Sequence, residues 1–307
     1  MIISIINHTN GKISDEELQV AIRAINRQIA HDFEPYWSVG AALRLEGRST
    51  ETPDKMKLQD MRGDSVLYLW DQVDVDEALG YHDANNRGIP FGFVFTELSR
   101  KLGENWTVTL SHEALELIAD PEVNLLVSGP HPADPKKSVF HWYEMCDAVQ
   151  AETYKVDGVE VSNFLLPLYF TGEDEFDGRN DFLGRRYKKK ALRSFGINPG
   201  GYIGFFNPES GEHETYALSG DAVAKKRLQI KGNAIAARRS ARYRSLVETV
   251  AEDDGPTRYG TTRRGLRRAA ASDLALDCER IDTKVGANSN GSKRGSSTKE
   301  LARRRRL

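Results

Sequence analysis

The first part of the chain places a short apolar run before a longer amphipathic segment. MIISIIN at residues 1–7 has the length and composition of a strand. The segment from Glu17 to Phe33 has the composition of a helix, and Ser14 stands three residues before its first residue, as in a capping box. We therefore predict a strand followed by a helix that ends before Pro35.

Four further segments carry the patterns of strands or loops. WSVGAALRLEG at 37–47 predicts a second strand, and SVLYLW at 65–70 is short and apolar enough to be a central one. ALGYHDANNRGIP at 78–90 is punctuated by Gly, Asn and Pro, which indicates a loop, and FGFVFTELS at 91–99 predicts the next strand. This alternation indicates an α+β or α/β core, and we expect the α+β class.

A helix is predicted in VTLSHEALELIADP at 108–121, where apolar residues surround a few ionisable ones. It should cover about 109–120, because Pro121 disfavours helical geometry in the residue before it. At roughly 100° per residue, all its ionisable side chains fall within one arc about 100° wide. They are His112, Glu113, Glu116 and Asp120. The pattern predicts a mostly buried helix with one polar stripe.

The spacing within this stripe suits a metal ion. His112 and Glu116 are one helical turn apart, so both can converge on one cation, as the two histidines of His-Glu-x-x-His do. Glu113 points to the side, where a general base would activate a metal-bound water. Asp120 lies about 12 Å along the axis from His112, which suits a supporting or helix-ending role. The alternative is an ordinary amphipathic helix whose stripe faces solvent.

A catalytic zinc site has three protein ligands and a water, so one more ligand is needed. The segment YEMCD offers Glu144, with Asp147 one turn away if the segment is helical. His82, beside Asp83 in the predicted loop, is the other candidate. The ordinary interpretations are a surface carboxylate for Glu144 and a loop-organising hydrogen bond to Asp83 for His82. Either Glu144 or His82 would complete the ligand set.

These segments occur in an order that resembles the zincin metallopeptidases. The resemblance covers roughly residues 1–210 and rests on GYHD, LSHEALELIADP, FHWYEMCD and VSNFLLPLYF, which also look like a group of uncharacterised bacterial and phage-associated proteins. It implies a zincin-like mixed sheet with an active-site helix, zinc held by His112, Glu113 as general base, and a peptide or protein substrate. The chain departs from the zincin pattern at Glu116, which stands where the second histidine would be.

Composition narrows the class of protein. The 307 residues contain no apolar run near the roughly 20 that cross a bilayer, and MIISIINHTN lacks the basic start of a signal peptide. Cys146 and Cys278 are far apart, which argues against a disulfide framework. We therefore expect a cytoplasmic protein without a membrane partner. The glycines form no phosphate-binding pattern, and acidic neighbours disfavour Cys146 as a nucleophile.

Charge is divided unevenly along the chain. Residues 221–307 contain 22 lysines and arginines against 10 acidic residues, whereas residues 1–220 contain 21 against 35. A basic segment of this kind favours salt-dependent binding to nucleic acid without sequence preference. The alternative is a solvated extension that docks on the acidic body. The arginine clusters that would bind phosphates include Arg238, Arg239, Arg263, Arg264, Arg267 and Arg268.

Two parts are therefore predicted: a zincin-like α+β domain at 1–215 and a basic C-terminal extension at 216–307. The extension should be partly helical and disordered from about residue 285, where the composition is of low complexity. The predicted function is a metal-dependent hydrolase, with zinc as the expected cofactor, acting on peptide bonds or other amides. The alternative is a catalytically inactive structural or interaction protein whose polar stripe makes hydrogen bonds only.

Overall fold

The N-terminal part of the chain folds into a mostly parallel β-sheet. The computed structural model describes residues 1–49, 51–55, 57–72, 79–85, 87–172 and 178–218. The first elements are β1 (Ile2–His8), α1 (Asp15–Gln28), one π-helical turn (Ile29–Phe33), α2 (Glu34–Trp37) and β2 (Ala42–Arg48). β1 and β2 pair in parallel, which requires a crossover connection such as the helical one between them.

The predicted helix corresponds to α1 and the π-helical turn. The hydroxyl of Ser14 accepts a hydrogen bond from the backbone N–H of Glu17 at 3.1 Å, so Ser14 is the N-cap. Helical structure continues directly from this segment into α2, which contains Pro35 and ends at Trp37, so the prediction that the helix ends before Pro35 is wrong. Pro35 lies in the first turn of α2, where its missing N–H leaves no hydrogen bond unmade.

Five strands form the first sheet, in the order β2-β1-β3-β5-β4. The other three strands are β3 (Ser65–Trp70), β4 (Gly80–Ala84) and β5 (Pro90–Phe95). β3 and β5 continue the parallel pairing, and every residue of β3 is buried, as predicted for a central strand. β4 runs antiparallel to β5 at the edge of the sheet.

The segment 78–90, predicted as a loop, contains β4, so that prediction is wrong. His82 pairs with Gly92 across β4 and β5. Asn85 and Gly88 lie in the short connection to β5, and β4 becomes a strand by antiparallel pairing with β5, the next segment of the chain. The strand predicted at 91–99 is shorter than expected, because helix α3 (Thr96–Leu102) begins directly after β5.

The predicted helix with the polar stripe is α4 (Trp106–Ala119), which begins one turn earlier than expected. The side chain of Asn105 caps it by accepting a backbone N–H of the first turn. The helix ends at Asp120, as Pro121 predicts. The carboxylate of Asp120 accepts the backbone N–H groups of residues 124 and 125, and so stabilises the chain reversal beyond the helix.

A second sheet follows α4 and is antiparallel, in the order β11-β10-β7-β6. The later elements are β6 (Leu126–His131), β7 (Asp134–Trp142), a 3-10 turn (Asp147–Val149), the hairpin strands β8 (Thr153–Val156) and β9 (Val159–Ser162), a second 3-10 turn (Pro167–Phe170), β10 (Tyr202–Asn207) and β11 (Glu212–Ala217). The predicted mixture of helices and sheets is confirmed as a mixed α/β fold. Its assignment as zincin-like stays a prediction.

α4 lies at the centre of the main hydrophobic core. Leu110, Leu115 and Leu117 pack in one cluster with Ile5 of β1 and with Phe164, and all five are fully buried. Burial of each such side chain contributes roughly 1.5–3 kcal/mol to stability. The apolar face of α4 therefore fixes the position of its polar stripe.

Within the described ranges, no helix is both long enough and apolar enough to cross a lipid bilayer. The described residues all belong to one unit of the chain by their mutual contacts. The predicted basic extension, with its arginine clusters, helical part and disordered end, lies outside the described residues apart from positions 216–218. The predicted domain boundary at residue 215 stays a prediction.

Candidate metal centre

The polar stripe of α4 is buried. His112, Glu113 and Glu116 are 3%, 1% and 1% exposed. The alternative of an amphipathic helix with a solvent-facing stripe is therefore wrong for this chain. Carboxylates in a protein interior are strongly destabilising unless a positive group, a metal ion or hydrogen-bond donors compensate them.

Strand β4 supplies an imidazole that faces this stripe. Side chains alternate between the two faces of a strand, so Tyr81 joins the aromatic cluster of the sheet and His82 contacts α4. Nδ1 of His82 lies 3.2 Å from Oε2 of Glu113 and 3.6 Å from Oε2 of Glu116. The His82 side chain is 5% exposed, so this contact is shielded from solvent.

The chain that follows β7 supplies two more carboxylates. Oε2 of Glu144 lies 3.6 Å from Nε2 of His82. Oδ1 of Asp147 lies 3.2 Å from Nε2 of His112 and accepts a 2.7 Å hydrogen bond from the Tyr202 hydroxyl. Glu144 and Asp147 are both buried, so the interpretation of Glu144 as a surface carboxylate is wrong. Helical structure begins only at Asp147, so the two residues do not share a helical turn.

Glu116 is the common neighbour of both imidazoles. Its Oε2 lies 3.0 Å from Nε2 of His112 and 3.6 Å from Nδ1 of His82. Its Oε1 accepts a hydrogen bond from the backbone N–H of Cys146 at 3.1 Å. The Cys146 thiol in turn donates to the backbone carbonyl of His112 at 3.9 Å. The side chains of His112 and Glu116 therefore meet, as their one-turn spacing predicts.

Two sets of three side chains have the geometry to hold a metal ion. One set is His82, Glu116 and Glu144, and the other is His112, Glu116 and Cys146. Within each set, one ligand atom from every residue lies within 4.8 Å of the others. Imidazole, carboxylate and thiolate are the groups with which proteins bind zinc and other transition metals.

The separation of His82 and Glu144 is wider than a hydrogen bond and close to the spacing of two ligands on one ion. Nε2 of His82 is buried and has no hydrogen-bond partner among the described residues. Two ligands bonded to a tetrahedral zinc ion at about 2.0–2.1 Å lie about 3.4 Å apart. The observed N–O distance is 3.6 Å. A small cation fits between these two atoms with only a small side-chain adjustment.

The charge state of His82 depends on the surrounding carboxylates. Burial by itself would lower the pKa of His82, but the negative charges of Glu144, Glu113 and Glu116 outweigh that effect and raise the pKa to about 9. Without a metal ion, His82 is therefore an imidazolium at neutral pH and acts as a counter-ion. A metal ion that binds His82 has to displace this proton.

A narrow, partly open cleft of about 10 Å³ adjoins the centre, with room for about one water molecule. Glu144 and Asp147 line it together with Trp142, Tyr169 and Ile203. None of its lining residues within the described ranges belongs to α4. The cleft therefore gives water access to two of the carboxylates, and the stripe of α4 is less accessible.

The structure brings most of the predicted site residues together and leaves two apart. The centre contains His82, His112, Glu113, Glu116, Glu144 and Asp147. The carboxylate of Asp83 accepts the backbone N–H of Ala84, and the predicted pairing of His82 with Asp83 is replaced by pairing with Glu113. Asp120 lies beyond the end of α4, where it organises the following turn. The predicted arginine clusters lie outside the described residues.

Two residues of the centre have roles that the sequence did not indicate. Tyr202, which donates to Asp147, is 55 residues away from it in the chain, and no local pattern connects the two. The sequence predicts no ligand role for Cys146. Its position within the same acidic segment as Glu144 is the signal that could have identified it as a candidate ligand.

Comparison with known proteins adds no relative of this chain. No protein-family model, no curated protein and no solved structure matches it. The resemblance to the zincins therefore rests on the quoted sequence segments alone. A function has to be argued from the geometry of the centre.

Proposed function

We propose that the protein is a metal-dependent hydrolase in which His82, Glu116 and Glu144 hold a divalent cation, with zinc as the first candidate. The observation that carries this proposal is the facing pair of Nε2 of His82 and Oε2 of Glu144, 3.6 Å apart in a buried site. Three protein ligands with one position left for water is the pattern of catalytic zinc sites. The set includes both residues that the sequence offered as alternatives for the third ligand.

The hydrogen bonding of His82 favours a cation at its other nitrogen. If Nδ1 donates its proton to Oε2 of Glu113, the lone pair of Nε2 faces the carboxylate of Glu144. Two electron-rich groups in this arrangement repel each other, and a proton or a metal ion at Nε2 removes the repulsion. A carboxylate that accepts from the second nitrogen of a ligand histidine is common at metal sites, where it fixes the tautomer and orientation of the ring.

The same contacts favour a positioning role for Glu113 over the role of general base that the sequence predicts. Oε2 of Glu113 faces Nδ1 of His82 at 3.2 Å. Its Oε1 lies close to β4, only 2.9 Å from where a Cβ on Gly80 would be. Both oxygens are therefore directed at β4. Asp147, which lines the cleft beside Glu144, is better placed to accept a proton from water.

The cleft gives the centre the character of a hydrolytic site. A divalent cation lowers the pKa of a water ligand towards neutrality and polarises carbonyl oxygens. Glu144 and Asp147 supply the carboxylates next to the cleft, where a water molecule fits, and Trp142, Tyr169 and Ile203 line its apolar side. This combination suits a peptide bond or another amide, and a peptide or protein is the proposed substrate. The zincin-like arrangement of a His-Glu helix and a downstream carboxylate belongs to the same proposal.

Metal content is the direct test. The purified full-length chain is freed of metal with a chelator, dialysed against zinc, manganese or cobalt, and analysed for bound metal. We expect a divalent ion at fixed stoichiometry, and hydrolysis of a mixed peptide library. His82→Ala should lose the ion held by His82, Glu116 and Glu144 together with the hydrolysis, whereas His131→Ala, which removes an imidazole from β6, should keep both. A wild-type chain that retains no metal refutes the proposal, and retention without hydrolysis refutes its enzymatic part.

A structural or interaction protein without activity is the second candidate. The observation that favours it is the 3.2 Å contact between the His112 imidazole and Asp147, whose carboxylate also accepts a hydrogen bond from the Tyr202 hydroxyl. With His82 as an imidazolium counter-ion, such a centre would be stable without metal. The melting temperature of the protein would then be the same with and without zinc, manganese or cobalt, whereas an ion that binds the folded state would raise it.

A further inference from the structure

One glutamate connects the two ligand sets of the centre. Glu116 is the one residue that the set with His82 and Glu144 shares with the set of His112 and Cys146. Each set has its own imidazole, so both can be filled at the same time. We propose that the centre holds two divalent cations and that Glu116 is their shared ligand. This inference rests on the proposed function, whose cation is the first of the two.

A backbone hydrogen bond fixes the orientation of Glu116. The N–H of Cys146 donates to Oε1 at 3.1 Å. Oε2 then lies between the two imidazoles, 3.0 Å from Nε2 of His112 and 3.6 Å from Nδ1 of His82. The first ion lies at Nε2 of His82 and not at Nδ1, but Glu116 belongs to both ligand sets, with its ligand atom within 4.8 Å of the other ligand atoms of each set, so it can reach both ions. Cations in two-metal sites are about 3.5–4 Å apart, which is within the span of one carboxylate.

The His112 side of the centre has the distances of a coordination site. Two ligands at about 2.0–2.1 Å from a tetrahedral ion lie about 3.4 Å apart. Nε2 of His112 and Oε2 of Glu116 are slightly closer, at 3.0 Å, so a small side-chain adjustment would admit an ion. Asp147 adds a carboxylate oxygen 3.2 Å from the same nitrogen. The sulfur of Cys146 completes the set and is fully buried, which protects a thiolate ligand from oxidation and solvent.

The charge of the buried groups also favours two ions. Glu113, Glu116, Glu144 and Asp147 are four carboxylates in contact with the two imidazoles. Among the groups of the centre alone, one divalent cation beside neutral imidazoles compensates half of this negative charge, and two compensate all of it. A thiolate at Cys146 would increase the need for the second ion. Because burial makes uncompensated charge strongly destabilising, the doubly occupied centre is the better balanced one.

Cobalt titration of the full-length, metal-free chain tests the inference. We expect two cobalt ions per chain, and an absorption band from charge transfer between a thiolate and cobalt that Cys146→Ser removes. Loaded with two equivalents of manganese, the chain should give the electron paramagnetic resonance spectrum of an exchange-coupled pair, because a shared carboxylate transmits the coupling. The stoichiometry and the exchange coupling are measured on the wild-type chain and require no variant that has to fold.

Variants of the two imidazoles assign the sites. His82→Ala and His112→Ala each remove the imidazole of one set, and each should keep one ion. Glu116→Gln should lower the affinity for both ions by roughly 10–100-fold or more. Circular dichroism checks that each variant is folded.

The outcomes separate this inference from the proposed function. One ion per wild-type chain overturns the second site and leaves the proposed function intact, whereas none overturns both. Two ions that show no exchange coupling, together with unchanged affinities in Glu116→Gln, overturn the role of Glu116 as the shared ligand.

Discussion

A proton and a metal ion compete for His82, and this competition sets the pH dependence of metal binding. The pKa of His82 is about 9, because the charges of Glu144, Glu113 and Glu116 outweigh the effect of burial. Coordination requires the neutral imidazole. At pH 7 only about 1% of His82 is neutral, so proton displacement reduces the free energy of metal binding by about 2.7 kcal/mol.

The expected result is a sloping affinity profile over the neutral range. Between about pH 6 and pH 9, the apparent affinity should rise about tenfold per pH unit, and it should become constant above pH 9. An unperturbed histidine would give a constant affinity already above about pH 6.5. Titration calorimetry with zinc buffered by a competing chelator measures the dissociation constant across this range.

Glu113→Gln is the matched control for this experiment. It removes one of the charges that raise the pKa of His82 and leaves the three ligands and a hydrogen-bond acceptor in place. The affinity should therefore become constant at a lower pH than in the wild type. A wild-type affinity that is flat from pH 7 upwards would contradict the reasoning, since His82 would then be either unprotonated in the metal-free centre or no ligand at all.

Three other measurements probe the same structure. In the metal-free chain, the free energy of unfolding should be highest below about pH 6.5 and should fall as the pH rises through 9, because only protonated His82 stabilises the folded state. Urea unfolding measures this fall in the wild type, and His82→Ala should lack it. Gly92→Ala should weaken zinc binding in the calorimetric assay, since its Cβ would lie 2.7 Å from the backbone oxygen of Tyr81 and would displace β4; an unchanged affinity would contradict this. In a gel-shift assay, the full-length chain should bind DNA with an affinity that falls steeply with salt, and truncation after residue 230 should abolish this binding while leaving the metal content unaltered. Binding that is indifferent to salt would argue against the predicted role of the extension.

The polar stripe of α4 could be predicted because its members lie on one helix. On a helix, the number of residues between two side chains fixes their relative positions, so the sequence predicts that the side chains of His112 and Glu116 meet. The excess of apolar neighbours also predicted that most of this helix is buried. Both inferences need only the local sequence and the geometry of a helix.

The remaining half of the centre depends on pairing and packing between separate elements. β4 contains Gly80, His82 and Asp83, which locally favour a loop, and it becomes a strand through its pairing with β5. The contact between Tyr202 and Asp147 depends on how β10 packs beside the turn after β7. No spacing along the chain encodes either contact, so the sequence could offer His82 and Glu144 only as alternatives.

The centre takes its side chains from three separated stretches of chain: the edge strand β4, helix α4 and the connection after β7. A cation bound to all three would cross-link them, and at 100 times its dissociation constant it would add about 2.7 kcal/mol to the stability of the fold. β4 has a neighbour on one side only, so it has few other attachments. Removal of the metal would therefore destabilise the edge strand β4 before the interior of the sheet, and the backbone amide hydrogens of Gly80–Ala84 would be among the first to exchange with solvent.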